Sequence, residues 1–339
     1  MSRDTISIHF VNAALTGVKR LGMDVDNLLA HAGIEAELLR QPKARISPEQ
    51  YTRFVKMLWL VTQDEHVAFD AQPRRLGTFA MMCQLVIHAK TLGQALELSS
   101  QFYKLFGDDW TVNLERDAHE ARLVPQIPRH LDPDHFITES MLMIWHGLAS
   151  WLIERRLPLE RVHFNYPRPQ HADEYDALFF APVKQFDAPR TEITFAADYL
   201  DLPIRQNEKT LEEFLKAAPA QLLVKFKNTN SLTSRIRELL KSHIGEEMPT
   251  LNDVAALLYL SPQTLRRRLA SEGKSYQGVK DALRRDAAIH LLLTPDLTLE
   301  DVAQQVGFSE TSTFHRAFKK WTGVTPGLYR QLHGHLAEE

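Results

Sequence analysis

The sequence predicts a multidomain chain of mixed class: an N-terminal α+β domain over residues 1–205, a linker over 206–230, and a C-terminal all-α domain over 231–335 with two helix-turn-helix units joined by a long helix. Three observations point there. At 339 residues the chain is longer than one typical core. Strand-like alternation ends near Leu202, and a short helix, a proline and a polar run follow in NEKTLEEFLKAAPAQLLVKFKNTN. Beyond that run one sentence is written twice, as LYLSPQTLRRRLASEGKSY from Leu258 and VGFSETSTFHRAFKKWTGVTPGLYR from Val306.

The first helix the sequence predicts starts at Ser47. SPEQYTRFVKMLWLV supplies an N-cap serine, a proline at the first helical position and Gln50 at the capping-box site, and Tyr51, Phe54, Val55, Leu58 and Trp59 then line one face. A second helix starts at Thr91 with Gln94 three residues on; Leu92, Ala95, Leu96, Phe102, Tyr103 and Phe106 continue its stripe until Gly107 stops it. Alternation then takes over in WTVNLER, EARLVPQI, RVHFNYP and TEITF, which read as strands. Between them MLMIWHGLASWLI, from Met141, reads as a buried helix packed on that sheet. It carries His146, is closed by Glu154, Arg155 and Arg156, and is too short to span a bilayer.

Composition excludes several classes. With 44% hydrophobic and 24% charged residues and a formal net charge of −3, bulk charge announces neither nucleic acid nor membrane, so such a partner must meet a local patch. The single cysteine, Cys83, rules out an internal disulfide framework and any multi-cysteine zinc site, and reads as a small buried hydrophobe in a reducing cytosol. MSRDTISIHFVNAALTGVKR lacks the apolar core of a signal peptide. No phosphate loop, nucleophile elbow or HExxH is present, and His130, Asp132, Asp134 and His135 match no metal spacing and read as a solvated loop. No catalytic residue, metal or cofactor is therefore expected. Met81, Met82, Trp145 and Trp151 could line an apolar pocket but read first as core.

The repeat carries more. Thr250, Leu251, Asp253, Val254 and Ala255 fall on Thr298, Leu299, Asp301, Val302 and Ala303 at an offset of 48; the offset then creeps to 49, placing Leu265 on Phe314, Arg267 on Arg316 and Leu269 on Phe318. Each copy reads as two helices and a tight turn, about 250–271 and about 298–321. The first helix has a threonine N-cap with an acid three residues on. Gly307 supplies easy positive φ in the second turn, whereas Tyr259 in the first predicts a different turn. Ser261 or Ser309 then caps the second helix, with Pro262 in its first turn.

In that second helix Phe314, Ala317, Phe318 and Trp321 share a core face, leaving Thr311, Ser312, His315, Arg316 and Lys319 opposite. In the first copy Leu265 and Leu269 point inward, and Gln263, Arg266 and Arg267 outward. Polar faces without carboxylates suit a major groove, where Arg addresses guanine and Gln adenine. Ser275–Leu293 between the copies reads as a helix, and about 19 residues make a rod of roughly 28 Å. That could set two reading helices about one duplex turn, roughly 34 Å, apart. Over Ser231–Glu339 there are 14 Lys/Arg against 13 Asp/Glu, but over Ala256–Arg330 there are 11 against 7, so positive charge concentrates on the repeat.

GFSETSTFHRAFKKWTGVTPGLYR resembles the signature of the AraC/XylS type of bacterial transcription regulators in Gly307, Phe308 and Ser309, in Phe314, Arg316, Phe318 and Lys319, and in Gly323, Thr325, Pro326, Tyr329 and Arg330. The resemblance implies a DNA-binding domain whose base-reading residues, by position, are Gln263, Arg266 and Arg267 in the first unit and Thr311, Ser312, Thr313 and Arg316 in the second. The small Thr and Ser side chains suggest laxer reading by the second unit. TLGQALELSSQFYKLFG, RLPLERVHFNYPRP and APVKQFDAPRTEITF resemble the sensor domain of the subgroup that includes ornithine-utilisation regulators. That resemblance implies effector sensing and dimerisation without chemistry. The effector is left open between an amino acid such as ornithine, for which Glu139, Asp173 or Glu174 could supply acid groups, and a fatty-acyl-like compound; the residues of its pocket are not assigned.

The expected molecule is a cytoplasmic, nucleoid-associated regulator that binds double-stranded promoter DNA as a homodimer. It responds to a small-molecule effector, works with RNA polymerase, activates metabolic or virulence-related genes and has no membrane partner. The alternative is a ligand-independent repressor or architectural DNA binder whose N-terminal domain only dimerises.

Overall fold

A computed structural model describes residues 5–70, 72–107, 110–169, 171–179, 181–217, 232–272, 274–294 and 296–331. Positions 218–230 of the expected linker, and Ser231 and 332–335 of the expected C-terminal domain, lie outside them. The described residues form two compact units that do not follow chain order: one gathers those of 1–12, 24–54 and 228–339, the other those of 13–23 and 55–227.

In chain order the elements are β1 (Ile6–Ser7), α1 (Ile8–Arg20), α2 (Val25–Ala32), β2 (Arg45–Ile46), α3 (Pro48–Thr62), α4 (Thr78–Val86), α5 (Leu92–Lys104), β3 (Thr111–Arg116), β4 (Glu120–Gln126), α6 (Phe136–Leu152), β5 (Arg161–His163), α7 (Tyr175–Leu178), β6 (Val183–Gln185), β7 (Glu192–Ala196) and α8 (Glu208–Ala217). The helices α9 (Leu232–Lys241), α10 (Leu251–Leu257), α11 (Pro262–Ser271), α12 (Tyr276–Leu292), α13 (Leu299–Gln305), α14 (Thr311–Thr322) and α15 (Pro326–Gln331) complete them.

The unit of residues 13–23 and 55–227 is α+β. Its five strands run in the order β3-β4-β7-β5-β6, antiparallel except for the parallel pair β5 and β6. The register lines up Leu114, Leu123, Ile193 and Val162 as a row across four strands, and paired residues share a face. Leu123, Ile193 and Val162 are fully buried. Helices α5 and α6 pack on this sheet, and one core joins Leu92, Ala95 and Leu96 of α5 to Leu142, Trp145, Leu148 and Leu152 of α6. His146 sits inside that apolar helix, where its ring Nε2 donates to the Leu157 carbonyl at 2.7 Å and burial pushes its pKa down to about 4. The imidazole is thus neutral, as an apolar site requires. Cys83 is fully buried.

Sequence and structure differ here at four places. The strand β6 has exposed and half-buried side chains, so no apolar alternation announced it. Phe106 does not continue the buried stripe of α5: it is 42% exposed, with the Arg74 guanidinium 5.0 Å from its ring centroid. Met81 is exposed, on the side of α4 opposite buried Met82 and Cys83. The loop at His130–His135 is only partly solvated. Asp132 is 1% exposed, and its carboxylate accepts from the Ile137 and Thr138 amides and the Thr138 hydroxyl at 2.7–3.0 Å, satisfying the open start of α6.

In the other unit Ser47 caps α3 as read: the Gln50 amide donates to Ser47 Oγ and the Ser47 amide to Gln50 Oε1, at 3.2 and 2.9 Å. Two short strands, β1 and β2, pair antiparallel. From residue 232 on, this unit's described elements are the seven helices α9 to α15. They enclose two separate cores. Ile236, Leu240, Val254, Ala255, Leu265 and Leu269 form one, and Val302, Ala303, Val306, Phe314, Phe318 and Tyr329 the other. The 17-residue helix α12, about 25 Å long, gives Val279 and Leu283 to the first and Ala287, Ile289 and Leu292 to the second. It is the spine of the domain, as the sequence predicts.

Candidate nucleic-acid interface

Each repeat places one exposed helical face. In the first, Thr250 and Asp253 close a full capping box at the start of α10, the Asp253 amide donating to Thr250 Oγ1 and the Thr250 amide to Asp253 Oδ2. Ala255 is completely buried, so α11 can cross closely. The Ser261 hydroxyl accepts from the Thr264 amide at 3.1 Å, with Pro262 in the first turn of α11. Leu265 and Leu269 fill the core; Gln263, Arg266, Arg267 and Arg268 are exposed.

The second repeat copies this frame. Thr298 and Asp301 form the same box before α13, and Ala303 is 1% exposed. Phe314 and Phe318 anchor α14, while Ala317 and Trp321 are half-buried. Ser312, Thr313, Arg316, Lys319 and Lys320 are exposed, whereas Thr311 and His315, expected on the outward face, are half-buried.

Two expectations need correction. The turns are not built differently: Tyr259 adopts φ +56° and Gly307 φ +80°, and each turn makes the same two backbone bonds. The Tyr259 and Leu260 amides donate to Ala256 and Ala255, as those of Gly307 and Phe308 do to Gln304 and Ala303, all at 2.9–3.0 Å. Burial of Ala255 and Ala303 fixes the helix crossing, and the tyrosine is forced into the left-handed conformation that glycine takes freely. Nor does Ser309 cap α14. Its N-cap is Glu310, without a side-chain bond, because the offset has reached 49 by that position and Glu310, not Ser309, stands in for Ser261.

The electrostatics follow from where acids are used. Asp253 and Asp301 are held in the capping boxes, where the threonine hydroxyl and amide lower each carboxyl's pKa below the ordinary value. Glu272 accepts from the Leu232 and Thr233 amides at 3.0 Å and so caps α9. Asp286, 3% exposed on the spine, accepts from Arg237, Arg285 and Thr5. These acids are held within the frame, while Arg266, Arg267, Arg268 and Arg316 are exposed on α11 and α14. Two further exposed residues stand beside α11 and α14. Tyr259 is 96% exposed, and Glu310 opens α14 within 3.4 Å of Ser312 Oγ. The offset of 49 was the available signal for Glu310; exposure at a turn leaves none for Tyr259.

In the α+β unit the candidate effector residues scatter. Met82 and Trp145 are buried, Met81 is exposed, and Trp151 stacks on Phe214 with centroids 4.3 Å apart. Glu139 is 2% exposed and accepts from the Tyr166 hydroxyl at 2.8 Å and from the Tyr175 hydroxyl. Burial pushes its carboxyl up to about 8, against the smaller opposing effect of the tyrosine bonds. Glu174 is half-buried, and the Asp173 side chain lies outside those described. No helix among the described residues is long and apolar enough to cross a membrane.

Comparison with known proteins gives two family matches. A model described as the arabinose-binding domain of AraC transcription regulator, N-terminal, matches residues 22–204, more than half of the chain, and a helix-turn-helix domain model matches 254–332. The chain is 27% identical over 331 residues to the ornithine utilization regulator of Pseudomonas aeruginosa, covering 97% of both. It is 29% identical over 192 residues to the transcriptional activator NphR of Rhodococcus sp, covering 55% of both. Among solved structures, a DNA-binding transcriptional dual regulator from Escherichia coli K-12 is 26% identical over 31% of this chain and 94% of that one, with a TM-score of 0.30.

Proposed function

This chain belongs to the AraC family of transcription regulators, joining a helix-turn-helix DNA-binding domain to an N-terminal ligand-binding domain, and on that premise we propose that it is an effector-responsive activator that reads two successive major grooves. One observation carries the reading: two exposed faces without core residues, on α11 and α14, are each anchored in their own core and joined by one spine. Gln263, Arg266 and Arg267 read bases in the first groove, and Thr311, Ser312, Thr313 and Arg316 in the second. Arginine is suited to guanine and glutamine to adenine. Half-buried Thr311 is the member of this set with least reach.

The protein acts in the cytoplasm as a homodimer on promoter DNA and engages RNA polymerase, with residues 1–205 sensing and dimerising and 231–335 binding DNA. No catalytic step is assigned to it. Between an amino acid such as ornithine and a fatty-acyl-like effector, the protonation of Glu139 favours the less polar. A carboxyl with pKa of about 8 is mostly neutral at neutral pH and makes a poor anchor for an ammonium group.

The test is a gel shift on the selected operator with Arg267→Ala and Arg316→Ala, with circular dichroism as the control for folding. Each is expected to lose specific binding by about tenfold or more and keep its helix content. Undiminished selective binding by both variants contradicts the reading.

A further inference from the structure

The helices α11 and α14 start differently. At the head of α11 the Ser261 hydroxyl accepts from the Thr264 amide at 3.1 Å and lies 2.8 Å from Thr264 Oγ1, so the cap takes it up. At the head of α14 stands Glu310, in extended backbone with φ −128° and ψ 127°, and its side chain caps nothing. Serine, threonine, aspartate and asparagine stabilise a helix start through that bond, and Glu310 forgoes it. Its side chain is exposed and forms no ion pair among the described residues. One hydrogen bond reaches it there: the Ser312 hydroxyl donates to Oε2 at 3.4 Å, which leaves Oε1 open. Neither α11 nor α14 contains an acid, while Asp253, Asp301, Glu272 and Asp286 are held by hydrogen bonds within the frame. Glu310 is thus the one carboxylate at the head of either helix.

A recognition helix enters the major groove with its N-terminal residues at the base edges. A carboxylate in that place lies against a polyanion, and repulsion from the phosphates opposes binding at every sequence. Only a base that presents a donor offsets this, because a carboxylate accepts and does not donate. Guanine shows N7 and O6, and thymine O4, all of them acceptors. Adenine sets an N7 acceptor beside its N6 donor. Cytosine shows the N4 amino group with no acceptor of its own beside it.

We propose that Glu310 is a specificity-determining residue of the second reading helix: its open carboxylate oxygen accepts from a cytosine N4 amino group beneath the N-terminus of α14 and rejects guanine and thymine there. The proposal rests on the DNA-reading function above and adds a base identity to it. The second unit, whose other reading side chains include small Thr and Ser, thereby gains a strict position that the first unit, with Ser261 spent on its cap, lacks.

The test is selection of binding sites from randomised duplex DNA by the full-length protein, its Glu310→Ser and Glu310→Gln variants, and Arg316→Ala to mark the half-site that α14 reads. The parent is expected to select cytosine at one position of that half-site. Glu310→Ser, which restores the residue type that caps α11, is expected to keep the melting temperature and lose the preference at that position alone. Glu310→Gln is expected to move it toward adenine. On the selected site, replacing that C·G pair by T·A should weaken the parent about fivefold or more and Glu310→Ser less than about twofold. The proposal is overturned if the parent and Glu310→Ser select the same bases at every position, if the position that depends on Glu310 holds guanine or thymine, or if Glu310→Ser relaxes all positions alike. Each of those results leaves the DNA-reading function standing. A parent that selects no sequence at all defeats both.

Discussion

Tyr259 and Gly307 occupy the same place in two copies of one turn, and only one of them suits it. A non-glycine residue in the left-handed region costs about 1–2 kcal/mol, and Tyr259, 96% exposed, recovers little of that by packing. Tyr259→Gly is therefore expected to raise unfolding free energy by about 1 kcal/mol in urea titration. From sequence the tyrosine predicts a different turn, because local propensity says nothing of the helix crossing that fixes the backbone. Glu139 is a second case in which burial decides. Its folded-state pKa, about 8, lies above the ordinary carboxyl value, so burial of the neutral acid is fully tolerated below about pH 4.5 and stability is lost as pH rises through 8. In Glu139→Gln that loss should vanish. The stability of the parent relative to this variant is expected to fall by on the order of 3 kcal/mol between pH 5 and pH 8, measured by denaturant unfolding.

Capping explains why so much of the helical half was legible. Thr250 with Asp253 and Thr298 with Asp301 stand at fixed spacing beside an apolar pattern, and both boxes form. Ser47, Thr91, Ser261 and Ser275 likewise each cap the helix they precede. Thr298→Val should cost about 1 kcal/mol in chemical denaturation by leaving the first turn of α13 unsatisfied. What stayed hidden lacks local pattern. The short strands β1, β2 and β6 earn their hydrogen bonds from distant partners, and Asp132 reads as a loop acid until α6 begins beside it. The two exposed faces were visible as periodicity, because Phe314 and Phe318 or Leu265 and Leu269 fix which side points inward. Among the described residues the Trp110 indole N–H and the Thr111 hydroxyl are buried without a hydrogen bond, a property of packing that leaves no trace in sequence.

At the scale of the whole chain, residues distant in sequence complete the DNA-binding unit. Thr5 Oγ1 donates to Asp286 on the spine at 2.7 Å, Arg45 Nε donates to Thr5 Oγ1 at 2.7 Å, and the Tyr329 hydroxyl donates to the Arg45 carbonyl. Asp286 and Tyr329 are buried, so removing residues 1–54 strips both of polar partners. A fragment of residues 228–339 is expected to melt several degrees below the full-length protein in calorimetry of the helical transition. Nothing in the sequence marks Thr5 or Arg45 for this, because contacts across some 280 positions leave no periodic trace. On the proposed function, α11 and α14 are separate readers on one spine. Methylation-interference footprinting of the operator tests it most directly, comparing the parent protein with Arg267→Ala and Arg316→Ala. Two major-groove patches per protomer are expected, about one duplex turn apart, with each variant losing a different patch. A single patch, or loss of both patches in either variant, would contradict it.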